Sequence, residues 1–164
     1  QLVDTGQDTM TGGRIKRLQN IIGRERFFVT YGDALCNLNV KALLEHHINS
    51  KSLGTVTAVN PQGRFGVLGI DDDQKVRSFV EKPDSANNFI NGGFFVLEPE
   101  IFDLIEGDST IFEAEPLSDL AERGQLNSYK HSDFWQCMDT PRDWEYLENL
   151  SKHSPSPWEA PQEK

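Results

Sequence analysis

Phe27-Phe28-Val29-Thr30-Tyr31-Gly32-Asp33 is the stretch on which the fold turns. Aromatic and β-branched residues over 27–31 predict a short buried strand, and Gly32 ends it with an aspartate directly behind. In open α/β sheets, ligands gather outside the carboxyl ends of the strands. Asp33 is therefore a candidate site residue, with simple turn capping as the competing reading. A second stretch has the same grammar. Phe134-Trp135-Gln136-Cys137-Met138 reads as a strand that stops at Asp139, and Thr140-Pro141-Arg142-Asp143 then opens a helix. Thr140 caps, Pro141 takes the first helical position, and Asp143 completes a capping-box spacing.

Working outward, Ile15, Leu18 and Ile22 share one helical face, with Thr11 as the N-cap and Gly23 as the stop. Val40, Leu43, Leu44, His47 and Ile48 form an apolar stripe after Asn39, a second capping residue, and His47 on that stripe reads as a core histidine. Residues 55–59, 65–70, 76–82, 94–97 and 126–131 read as further strands, and 101–105 and 116–123 as helices. Asp71-Asp72-Asp73-Gln74 lacks the glycine and distant glutamate of a calcium loop, so it is a solvated hairpin turn. Trp144, Leu147 and Leu150 supply the apolar face of the last helix. The Ser/Pro-rich residues from His153 onward show no periodicity and are expected to be loosely held. The organisation is thus one domain over 1–152 and a tail over 153–164. Alternating strands and helices predict an α/β domain with a mixed, mostly parallel sheet and flanking helices.

The 164 residues carry 16 Lys+Arg against 26 Asp+Glu, a net charge of −10. Binding a nucleic-acid backbone needs the opposite balance. No apolar run reaches the roughly 18 residues that span a bilayer. Cys36 and Cys137 are too far apart in sequence for a metal clip and read as reduced thiols, which points to the cytoplasm. The chain opens Gln-Leu-Val without a methionine, so an upstream segment is expected.

Two carboxylates from separate strand ends, Asp33 and Asp139, suit one Mg²⁺ that keeps positions open for substrate phosphates. Glu81-Lys82-Pro83 ends a strand with an acid for sugar hydroxyls and a cation for a phosphate, or else a surface ion pair. Asn91-Gly92-Gly93 offers an amide side chain and bare backbone, or a plain turn. Thr11-Gly12-Gly13 at a helix start offers N–H groups to a base or phosphate. His46 and His47 diverge by about 100° on a helix and cannot chelate one ion well. No Ser-His-Asp or Cys-His arrangement is visible.

Taken in order, Thr11-Gly12-Gly13-Arg14, Tyr31-Gly32-Asp33, Gly63-Arg64-Phe65-Gly66, Phe79-Val80-Glu81-Lys82-Pro83, Asn91-Gly92-Gly93-Phe94-Phe95 and Trp135-Gln136-Cys137-Met138-Asp139-Thr140 resemble the sugar-1-phosphate nucleotidylyltransferases. The nearest members by these motifs are those that transfer cytidylyl groups to glucose 1-phosphate, and the resemblance runs to about Trp158. It implies a nucleotide-diphospho-sugar transferase-like fold, here incomplete, and the reaction of CTP with α-D-glucose 1-phosphate to CDP-glucose and pyrophosphate. It implies Asp33 and Asp139 as Mg²⁺ ligands and Lys82 on the sugar phosphate. Glu81 and Asn91 would contact the hexose, Gly66 and Gly92 would line its pocket, and Thr11, Gly12 and Gly13, with Arg14 beside them, would face the nucleotide. The family pattern also implies a cytoplasmic homo-oligomer that supplies lipopolysaccharide-type surface sugars.

Ala34 stands where the family has glycine, and Cys137 where proline is common. The family's Gly-rich triphosphate loop is expected upstream of Gln1, and without it no turnover is expected from these 164 residues. A glycoside hydrolase using Asp33 and Asp139 as acid and base, and a non-catalytic binding or oligomerisation module, are the rival readings.

Overall fold

The computed structural model describes residues 1–61, 67–80 and 89–159. In chain order the elements are α1 (Thr11–Arg17), α2 (Gln19–Ile22), β1 (Phe27–Thr30), β2 (Ala34–Cys36), α3 (Val40–Ser50), β3 (Gly54–Val59), β4 (Val67–Ile70), β5 (Val76–Val80), β6 (Ile90–Leu97), a 3₁₀ helix (Pro99–Leu104), α4 (Glu115–Glu122), β7 (Leu126–His131), β8 (Trp135–Cys137) and α5 (Pro141–Ser151). The main sheet has the order β1-β6-β3-β7, and β2·β8 and β4·β5 are separate two-stranded ribbons.

The sheet is mixed, as expected, but the expected parallel majority is absent among the described residues. β3 and β7 are parallel, whereas β6 runs antiparallel to both β1 and β3. Between β3 and β6 in the chain lies the β4·β5 hairpin, and β6 lies beside β3 in the opposite sense. The turn of the hairpin is the aspartate run: Asp71 accepts from the Lys75 N–H at 2.9 Å and pairs with Arg77.

β6 is the spine of the core, with Phe95, Val96 and Leu97 fully buried. Side chains alternate across a strand, so the two faces pack differently. Phe95 and Leu97 join Ile15, Ile101, Phe102, Ile105, Phe112 and Leu120 on one side; Val96 meets Leu38 and Leu43 of the α3 side. Phe95 meets Phe112 edge-on at 5.5 Å between centroids, a favoured aromatic geometry.

Asn39 caps α3 by accepting from the Ala42 N–H, and His47 is buried on that helix, as the pattern predicted. Val40 and Ile48 lie at the ends of the stripe and stay exposed. The helix predicted to run to Gly23 breaks at Leu18 into α1 and α2. Its N-cap is Met10 rather than Thr11, because the Thr11 hydroxyl is taken up by residues 112 and 113.

In the described part of the tail, Trp158 packs on Phe134 with 5.9 Å between ring centroids. No helix among the described residues is long and apolar enough to cross a membrane.

Candidate active site

Asp33 and Asp139 are brought together by the β2·β8 ribbon. Ala34 pairs with Cys137, and one step further the Met138 N–H donates to the Asp33 carbonyl at 2.7 Å. Asp33 thus enters the ribbon on one strand where Asp139 leaves it on the other. The chain behind Asp139 is fixed by a full capping box. Thr140 Oγ1 accepts from the Asp143 N–H, and the Asp143 carboxylate accepts from the Thr140 N–H. Gln136 Nε2 donates to the same Asp143 side chain from within β8. Both aspartates are solvent-accessible, and both border one cleft of about 1550 Å³.

The same cleft is also lined by Tyr31, Asn91 and Gly92. The Asn91-Gly92-Gly93 segment is not the plain turn of its competing reading; it lies inside β6. Its pairing with β3 jumps from Val56↔Phe95 to Ala58↔Asn91, so β6 carries extra residues at Gly92 and Gly93. This is a bulge, a device common beside functional sites because it re-aims neighbouring side chains. Gly93 has φ +79°, and a Cβ there would stand 2.8 Å from the Tyr31 ring. At Gly92 a Cβ would meet Val59 Cγ1 at 2.8 Å and the Thr57 carbonyl at 2.9 Å. Trp135 Nε1 donates to the Gly92 carbonyl at 2.8 Å, tying the bulge to β8 and hence to the aspartates.

Asn91 is oriented from both ends. Its Oδ1 accepts from the Gly93 N–H at 2.8 Å, and its Nδ2 donates to the Tyr31 hydroxyl at 3.0 Å. Tyr31 in turn donates to Glu113 Oε1 at 2.6 Å, and Thr11 Oγ1 donates to Glu113 Oε2 at 2.6 Å. Burial and the bond to Glu113 raise the Tyr31 phenol well above its ordinary range. For Glu113, partial burial pushes upward, but the bonds from Thr11 and Tyr31 outweigh it and hold the carboxylate below its ordinary value.

The remaining sequence candidates fall elsewhere. The N–H groups of Gly12 and Gly13 donate to the Thr110 carbonyl at 2.9 and 3.3 Å, and neither residue borders the cleft. Arg14 reaches Thr5 Oγ1 and the Gln7 carbonyl, away from the cleft. Gly66, Glu81 and Lys82 lie outside the described residues. Tyr31, Trp135, Glu113, Lys130 and Arg142 were given no role from sequence, yet all but Glu113 border the cleft. Trp135 and Arg142 flank Asp139 and were findable by proximity, whereas Glu113 gives no local signal, 82 positions from Tyr31. Cys36 and Cys137 form no disulfide, and burial pushes the Cys36 thiol up to about 11, which keeps it protonated at neutral pH.

A second, smaller cavity of about 220 Å³ opens behind the ribbon, where Asp33 and Leu35 meet Trp144, Leu147 and Trp158. Trp144, expected to complete the buried face of α5, borders this cavity and is half exposed.

Asp33, Asp139, Asn91 and Gly92 thus share one cleft in a mixed α/β fold, a class in which ligands gather at strand ends. The sequence pattern of the nucleotidyl transferase family matches residues 6–148, and the chain belongs to that family. It is 48% identical to glucose-1-phosphate cytidylyltransferase of Salmonella typhi over 160 residues, covering 97% of this chain and 62% of that protein. With mannose-1-phosphate guanyltransferase of Saccharomyces cerevisiae it shares 32% identity over 88% of this chain and 44% of that one. Among solved structures, HddC from Yersinia pseudotuberculosis superposes with a TM-score of 0.64 at 27% identity, over 86% of this chain and 62% of that one. The chain therefore spans less than two thirds of the length of these relatives.

Proposed function

We propose that this chain forms the sugar-phosphate and metal side of a glucose-1-phosphate cytidylyltransferase. The reaction is CTP with α-D-glucose 1-phosphate giving CDP-glucose and pyrophosphate. The observation that carries the reading is the sharing of one cleft by Asp33, Asp139, Asn91 and Gly92. The 48% identity to the Salmonella typhi enzyme supports the choice of sugar and base.

The chemistry asks for position and charge neutralisation more than for a protein nucleophile. A phosphate oxygen of the sugar phosphate forms a bond to the α-phosphorus of CTP, and the bond from that phosphorus to the pyrophosphate oxygen breaks. Asp33 and Asp139 are hard oxygen donors, and Mg²⁺ commonly takes only one or two carboxylates beside waters and substrate phosphates. The pair fits that ion, although no group of three or more acidic, His or Cys side chains suited to a metal exists among the described residues. Bound there, Mg²⁺ supplies charge neutralisation on the reacting phosphates.

In this reading Asn91 and Glu81 hold the hexose, Gly66 and Gly92 leave room for it, and Lys82 meets its phosphate. Thr11, Gly12, Gly13 and Arg14 are given no ligand contact, since the groups that would make it are engaged within the chain. A cytoplasmic homo-oligomer acting in nucleotide-sugar supply accords with the same reading.

Substrate dependence tests it. In a protein that carries the triphosphate loop, Lys82→Ala should raise the requirement for glucose 1-phosphate by roughly 10- to 100-fold, the loss of a charge-assisted contact, with the CTP requirement little changed. An unchanged sugar-phosphate dependence would return Lys82 to a surface ion pair.

A further inference from the structure

We infer that Glu113 is a positioning residue that sets the orientation of the Asn91 amide at the cleft, and through it the hold on sugar hydroxyls. The second half of this statement rests on the sugar-phosphate reading above; the first does not.

The argument is one of hydrogen-bond accounting. An Asn side chain has two donors and one oxygen acceptor, and its two ends are nearly the same shape, so its function depends on which way it is turned. Here both ends are specified. Oδ1 faces the Gly93 N–H, and Nδ2 faces the Tyr31 hydroxyl. That second contact holds only if the Tyr31 hydroxyl presents its lone pair to Asn91, which requires its proton to point elsewhere. Glu113 Oε1 takes that proton at 2.6 Å. The other Glu113 oxygen is occupied by the Thr11 hydroxyl at 2.6 Å, and that hydroxyl accepts in turn from the Phe112 N–H at 2.9 Å. Two hydroxyl donors, one on each oxygen, suit the ionised, acceptor-only carboxylate.

The relay has a fixed polarity from end to end. Thr11 and Tyr31 donate into Glu113, and Asn91 donates into Tyr31. What is left over at Asn91 is one N–H and one acceptor lone pair beside the cleft, which is the pair a vicinal diol uses. Glu113 itself does not border the cleft, so its influence passes only through Tyr31.

Substitutions at two links test this. Glu113→Ala and Tyr31→Phe should each release the Asn91 amide, seen by NMR as faster hydrogen exchange and a changed chemical shift of its side-chain NH₂. Glu113→Gln should act in the same direction, because an amide cannot accept from both hydroxyls through its two ends. Tyr31→Phe keeps the ring packing and so covers the case in which the changes at 113 disturb folding. In turnover assays of a protein that carries the triphosphate loop, the variants should raise KM for glucose 1-phosphate by roughly tenfold while kcat and KM for CTP stay within about twofold. Asn91 signals that do not move in Tyr31→Phe overturn the inference, as does an Asn91 change with no shift in sugar-phosphate KM. A wild-type protein that binds no sugar phosphate overturns the functional reading instead, and the orienting role of Glu113 is then decided by the Asn91 signals alone.

Discussion

Gly12-Gly13 and Gly92-Gly93 are the same two letters in the sequence, yet the fold puts them to different uses. Gly12 and Gly13 are buried in the first turn of α1, pressed against residues 108–110. A Cβ on Gly13 would stand 2.6 Å from both the Cα and the carbonyl oxygen of Asp108. Their N–H groups, which could have faced an anion, point at the Thr110 carbonyl. Gly92 and Gly93 instead form a bulge in β6, and Asn91, Tyr31 and Trp135 gather around it at the cleft. Glycine in a helix start reports only that something comes close. Whether that is a ligand or the protein's own backbone depends on a contact about a hundred positions away.

The comparison separates a scaffold side from a cleft side, and the largest expected effect belongs to the cleft. In a protein that carries the triphosphate loop, Asp33→Asn or Asp139→Asn should lower Mg²⁺-dependent turnover by at least about a hundredfold, since metal charge stabilisation is worth several kcal/mol. Thermal stability should be little changed, because both side chains are exposed. Pyrophosphate release and a melting curve on the same preparations check both halves. Either variant retaining wild-type turnover would remove the acids from the chemistry.

Next come the glycines themselves. Gly13→Ala collides with backbone that cannot rotate away, and overpacking of this kind costs about 1–3 kcal/mol, only partly offset by the better helix propensity of alanine. The melting temperature should fall by several degrees, with sugar-phosphate affinity of the folded protein unchanged. Gly93→Ala should behave the other way round. A side chain at φ +79° costs about 1–2 kcal/mol, but the Tyr31 ring it strikes is the one that holds Asn91. Sugar-phosphate binding should weaken more than stability does. If the two variants lost affinity and stability in the same proportion, the division between scaffold and cleft would collapse.

How much of this was legible follows the same division. Local chemistry could be read directly: Asn39 and Thr140 cap because their side chains reach N–H groups three residues on, and His47 sits on an apolar stripe. Strand-end placement put Asp33 and Asp139 in one neighbourhood. Strand direction was not legible, since the antiparallel pairing of β6 with β3 is set by contacts between distant segments. Nor was the bulge, because Asn-Gly-Gly is equally good turn chemistry and only the register against β3 decides. Glu113 was beyond reach for a simpler reason, as its partners Thr11 and Tyr31 come from other elements.

The smallest effect lies deepest in the scaffold. His47 is almost wholly buried, with Nδ1 2.8 Å from Thr55 Oγ1 and Nε2 3.2 Å from Glu98 Oε1, and Glu98 is shared with Arg26. Burial lowers its pKa; the Glu98 carboxylate opposes this, and Arg26 and His46 add to it. In the unfolded chain the same imidazole titrates near its ordinary value of about 6.5. As the pH drops below that value the unfolded state takes up a proton before the folded state does, so acidification favours unfolding. The contribution of His47 is thus complete above the unfolded pKa and is lost as the pH falls toward the folded one. Denaturant midpoints measured from roughly pH 8 down to pH 5 should fall more steeply for the wild type than for His47→Gln, whatever the offset between them. Sugar-phosphate affinity should not follow that difference, because His47 does not border the cleft. Parallel midpoint curves would mean that the buried histidine carries no pH dependence, and the acid sensitivity of the scaffold would then rest on its carboxylates.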